Sequence, residues 1–62
     1  MLNNYKNFKT DVLPYLNFTN INTTHKYNEL LGKVITRVEC GNDARVAITY
    51  VFEDNKLVAI VK

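Results

Sequence analysis

From residue 34 onward the chain alternates. Val, Ile, Ala, Leu, Tyr and Phe trade places with polar residues through 34–40, 44–53 and 56–62. A period of two marks a strand with one buried side, and β-branched and aromatic residues favour it. The breaks between these stretches, Gly41-Asn42-Asp43 and Asp54-Asn55, are residue types that accept the positive φ of tight hairpin turns. The pattern predicts a three-stranded antiparallel β-meander.

With Asp54-Asn55 as a two-residue turn, Glu53 falls opposite Lys56, Phe52 opposite Leu57, Tyr50 opposite Ala59 and Ile48 opposite Val61. With Gly41-Asn42-Asp43 as a three-residue turn, Glu39 falls opposite Arg45, Val38 opposite Val46, Thr36 opposite Ile48 and Val34 opposite Tyr50. Successive side chains on a strand point to opposite faces. Val34, Val38, Val46, Ile48, Tyr50, Phe52, Leu57 and Val61 are therefore assigned to an inner face. The outer face carries Ile35, Arg37, Glu39, Arg45, Ala47, Thr49, Val51, Val58 and Ile60. Within it, Ile35, Val51, Val58 and Ile60 form an apolar corner that calls for a cover.

The first half is richer in Asn, Thr and aromatic residues and has to cover the inner face, because a lone meander does not stay folded with that face wet. Tyr5, Phe8, Val12, Leu13 and Leu16 recur at helical spacing, with Asn3 or Asn4 available as a cap. Pro14 interrupts this helix: it stops near Val12, or a new one begins with Asp11 as its cap. Residues 16–24 have no clear period. A second helical turn is predicted over 24–31, capped by Thr24 and ended by Gly32. The expected fold is α+β, one small domain over 1–62, with a helical and loop cover in 1–32 and the meander in 34–62.

Size and charge narrow the function. The 62 residues leave little interior for a deep substrate cavity, and a net charge of +2 is far from the dense basic stripe of a nucleic-acid binder. A single cysteine, Cys40, forms no disulfide within the chain, which points to a reducing, cytoplasmic setting. Neither a signal peptide nor a membrane-spanning run is read from the sequence.

Candidate chemistry is sparse. His25 is the only histidine, with Glu29 four residues on, and the two are read as a surface pair on one helix face. One His with one Cys falls short of a metal site, so no metal and no cofactor are expected. Cys40 reads as a small apolar filler, and Glu53-Asp54 as solvated turn carboxylates. Tyr15, Phe18 and Tyr27 are the aromatic residues left outside the proposed core. No phosphate loop, dinucleotide fingerprint, zinc pattern or catalytic triad occurs.

In size, in its nine asparagines and in the lack of catalytic motifs, the chain resembles small phage accessory proteins, including inhibitors of host defence enzymes. That resemblance and the apolar corner together imply a non-enzymatic homodimer that binds a host or cellular protein. Ile35, Val51, Val58 and Ile60 are its candidate dimer interface, and Arg37, Glu39, Arg45, His25 and Lys26 face the partner. Two other readings stand beside it: a nucleic-acid-binding or transcription-regulating module, and a small-molecule sequestering protein with its site between subunits, because one protomer lacks the volume for a pocket.

Overall fold

The computed structural model describes residues 4–42 and 45–62. A helical segment at the N-terminus lies against one face of a four-stranded antiparallel sheet. The strands β1 (Asn20–Asn28), β2 (Lys33–Asn42), β3 (Arg45–Glu53) and β4 (Lys56–Val61) are ordered as they occur in the chain, so β1 and β4 are the two edges.

The α+β arrangement is as expected, but the sheet has one strand more than the alternation of the second half indicated. The expected helical turn over 24–31 is instead the end of β1 and a hairpin. Ile21, Thr23, His25 and Tyr27 alternate with Asn22, Thr24, Lys26 and Asn28 and pair with β2 from Asn20↔Gly41 to Asn28↔Lys33. Local propensity loses to this ladder. The hairpin closes on Asn28, whose side-chain Oδ1 accepts from Leu31 N at 3.0 Å and whose carbonyl accepts from Gly32 N at 2.8 Å. Gly32 does stand at an end, at φ +65°, but it ends a turn between strands.

The helical segment passes through three kinds of turn: α over Tyr5–Asn7, π over Phe8–Val12 and 3-10 over Leu13–Tyr15. Asn4 caps it, accepting from Lys6 N at 2.9 Å and Asn7 N at 3.3 Å. In a straight α-helix the Pro14 ring would collide with the carbonyl four residues back. The chain widens into the π turn just ahead of it and tightens into the 3-10 turn that contains it. Asp11 caps nothing: the residue before the last turn is Val12, without a side-chain cap bond.

The β3–β4 turn holds this segment in place. Asp54 and Asn55 take φ of 48° and 75°, the left-handed pair that a two-residue hairpin requires. Asn55 then receives Tyr5 N on its carbonyl at 2.8 Å and Lys6 N on its side chain at 3.1 Å. Asp54 clasps the other neighbour, bonding Val34 through both its backbone N–H and its carboxylate at 2.9 Å. One turn therefore joins the helix start, β2 and β4.

The core is Phe8, Val38, Cys40 and Phe52, with Tyr5, Val12, Leu13, Leu16, Phe18, Ile48, Tyr50 and Leu57 packed around it. Phe8 lies 4.6 Å from Tyr50 and 5.3 Å from Phe52 between ring centroids, and Tyr5 meets Phe52 edge-on at 5.4 Å. Val34, Val46 and Val61, expected inside, are exposed, and Thr36 and Cys40 are buried instead.

Register is the reason. Val38 lies opposite Tyr50, not Val46, and Thr36 opposite Phe52, not Ile48. β2 runs on through Gly41 and Asn42 and so slides four residues further along β3 than a turn at 41–43 would allow. The connecting residues 43–44 lie outside those described. Gly41 permits the crossing, since a Cβ there would overlap the Arg45 carbonyl. On the other side, Glu53↔Lys56 and Phe52↔Leu57 hold as expected. A bulge between Val51 and Phe52 then moves Tyr50 onto Ile60 and Thr49 onto Val61.

Removing the central ring should cost the most. Phe52→Ala is expected to lose about 3–5 kcal/mol, comparable to the whole stability that a core of this size supplies. The cooperative thermal transition followed by circular dichroism should vanish at ambient temperature. Gly41→Ala should also lower the urea midpoint, although it deletes nothing.

Candidate functional site

The helical segment occupies only the face that carries Val38, Cys40, Tyr50 and Phe52. Directly opposed residues of an antiparallel pair share a face, so the registers identify the open one. On it lie Asn22, Thr24, Lys26 and Asn28 of β1, Lys33, Ile35, Arg37 and Glu39 of β2, Thr49, Val51 and Glu53 of β3, and Ala59 and Val61 of β4.

This placement regroups the predicted interface. Ile35 and Val51 are diagonal neighbours on the open face, both half-buried. Ile60 stands opposite Tyr50, whose ring packs on Phe8, and so lies on the helix side at the sheet margin, 50% exposed. Val58 is the extra residue of the bulge, 48% exposed. The continuous apolar row on the open face is therefore Ile35, Val51, Ala59 and Val61, while Val58 and Ile60 belong to the β4 edge.

The charged residues also divide. Lys26, Arg37 and Glu39 share the open face. Glu39 lies opposite Thr49, and Arg45 opposite Asn42 at the far end of the ladder, so the expected Glu39–Arg45 pair is not formed across the strands. His25 stands on the helix-side face of β1, with Nδ1 2.8 Å from Thr36 Oγ1 and its ring 5.5 Å from Tyr5 in a T-shaped contact. It shares no helix face with Glu29, which sits in the β1–β2 turn. The buried Thr36 hydroxyl gains its partner this way.

Cys40 is sealed in the core, where burial raises its thiol pKa above the ordinary 9.0. Tyr50 is raised above 10.0 by burial first and by the nearby Cys40 second. Both shifts disfavour the nucleophilic form. Among the described residues no three His, Cys, Asp or Glu side chains are grouped to hold a metal ion. Of the loose aromatic residues, Phe18 packs against the core, whereas Tyr15 and Tyr27 stay exposed.

A hollow of about 550 Å³ is formed by residues 24–28 of β1 with Ile35 and Arg37 of β2. It lies within one protomer, where no pocket was expected. A smaller one, about 260 Å³, sits at the β3–β4 turn between Asn4, Asp54, Asn55 and Lys56. No helix among the described residues is long and apolar enough to cross a membrane. Compared with protein families, characterised proteins and solved structures, the chain matches none.

The raised thiol and phenol fix the sign of an alkaline effect. The folded chain keeps protons that the unfolded chain releases once pH passes about 9, so this contribution is complete below 9.0 and is lost as pH rises beyond it. Urea midpoints should be level from pH 7 to 8.5 and fall above 9, less steeply in Cys40→Ala. At pH 8 a thiol reagent should label Cys40 only in denaturant.

Proposed function

We propose that this chain is a non-enzymatic cytosolic protein that associates as a homodimer and acts by binding another protein, in the manner of small phage accessory proteins that inhibit a host defence protein. The observation that carries the proposal is the apolar edge of the sheet. Between Lys56 and Lys62, β4 has no charge and no proline, and Val58, Ile60 and Val61 are each about half exposed on it. Free edges of this kind are normally blunted by charge or proline. The opposite edge, β1, is polar along most of its length.

A second copy satisfies the β4 edge economically. In antiparallel pairing about a two-fold axis at Ala59, Val58, Ala59 and Ile60 of each copy come against those of the other, so apolar side chains meet apolar neighbours across the edge. The open-face row of Ile35, Val51, Ala59 and Val61 would then run on into that of the second copy. Small domains often gain by association what they cannot bury alone. The sealed thiol and the histidine bonded to Thr36 leave those two groups poorly placed for nucleophilic or general-base work.

Sedimentation at tens of micromolar should return the mass of two chains. Ile60→Lys should return one, with an unchanged far-ultraviolet spectrum. A wild-type monomer at high micromolar concentration overturns the homodimer.

A further inference from the structure

Both edges of the sheet are unpaired, and β1 differs from β4 in carrying polar and cationic groups. It runs nine residues and pairs with β2 without a register shift from Asn20 to Asn28. It contains no proline, and Lys26 is its one charged residue at neutral pH. In an antiparallel sheet every second residue of an edge strand turns its N–H and C=O away from its neighbour. Among the described residues no backbone group bonds to the outward side of β1 from Asn20 to Tyr27. A long, regular edge of this kind is a template for a further strand.

The two faces beside that edge differ. Asn22, Thr24, Lys26 and Asn28 lie on the open face, and Ile21, Thr23, His25 and Tyr27 on the helix side. On the helix side Ile21 and Tyr27 are 40% and 59% exposed, so apolar surface is on offer towards both ends of the row. On the open face Lys26, opposite Ile35, is the diagonal neighbour of Arg37, opposite Thr24. At that spacing, about 7–8 Å, the two like charges repel. Neither forms an ion pair among the described residues: Glu53 is held by Lys33 at 3.3 Å, and Glu39, two positions beyond Arg37, is not bonded to it.

The hollow gives this edge its room. Residues 24–28 all line it, with Ile35 and Arg37, and no carboxylate does. Consecutive residues of a strand alternate between faces, so the hollow follows the edge of β1 as well as its open side. We propose that β1 takes up an extended segment of a partner protein as a further strand, in which acidic residues alternate with apolar ones. The acidic side chains fall on the open face, next to Lys26 and within reach of Arg37, and the apolar ones fall beside Ile21 and Tyr27. Main-chain bonds supply the affinity in this mode, and the alternate side chains the selectivity. A second copy of this chain fits less well, since its own β1 would add another Lys26 and no carboxylate. Strand addition at β1 rests on the protein-binding function but not on the homodimer.

The test is titration of the ¹⁵N-labelled full chain, at low salt, with a peptide as long as β1 in which Glu and Val alternate. The amide signals of 20–28 should shift, and hydrogen exchange should slow at alternate β1 amides. The same peptide with Lys in place of Glu, or N-methylated at every residue, should bind about tenfold more weakly. Lys26→Glu combined with Arg37→Glu should reverse the preference, from the Glu peptide to the Lys peptide, which a folding defect would not do. Lys56→Ala should leave binding unchanged. Absence of shifts at millimolar peptide, equal binding of either control peptide, or shifts centred on β4 overturns the assignment. Protection of alternate β1 amides before any peptide is added overturns it too, because a second copy then covers the edge already. Ile60→Lys should bind the Glu peptide as the wild type does, and a failure at β1 leaves the mass of two chains in sedimentation untouched, so the two contacts are read separately.

Discussion

One helical segment covers one side of a four-stranded sheet, and the contact of Phe8 with Tyr50 and Phe52 is where that cover takes hold. Among the described residues the helical segment packs on that side of the sheet. The asymmetry of the molecule follows from this. The helix-side face gathers the rings, Val38 and Cys40, and the open face gathers Lys26, Arg37, Glu39 and the aliphatic row that starts at Ile35. The aromatic contact is held in register by the Asp54-Asn55 turn, which binds the first backbone N–H groups of the helix on one side and Val34 on the other.

Two potentially reactive groups are engaged inside this arrangement. The thiol of Cys40 fills the core, and His25 pairs with the hydroxyl of Thr36, which would otherwise be buried without a partner. Outward lie an apolar edge at β4, a polar edge at β1, and between β1 and β2 a hollow with two cations that form no ion pair among the described residues.

Much of the local structure was legible. The spacing of Tyr5, Phe8, Val12, Leu13 and Leu16 marked residues that do pack on the core, Asn4 caps as its side chain allows, and Asp54-Asn55 makes the expected two-residue turn. β1 was missed although Ile21, Thr23, His25 and Tyr27 alternate with polar residues, because a polar strand carries little hydrophobic contrast and the Thr24 and Gly32 punctuation imitates a helix. Its recognition would have placed His25 beside Thr36 and Lys26 beside Arg37. The candidate interface was legible as apolar residue types but not as a surface, since a single bulge beside Phe52 moves Ile60 to the helix side.

The sequence by itself determined what each short stretch could do: which residues favour strands, where φ turns positive, which side chains avoid water. These depend on neighbours within a few positions and on chemistry each residue carries alone. Only the tertiary structure decided how far β2 slides along β3, which of Val34, Thr36 and Cys40 is buried, and which face stays open. Those outcomes turn on a glycine that admits a crossing carbonyl, on a bulge of one residue, and on how much sheet one helical segment can cover. Each is a contact between residues distant in the chain, whose energy exists only once both sides are in place.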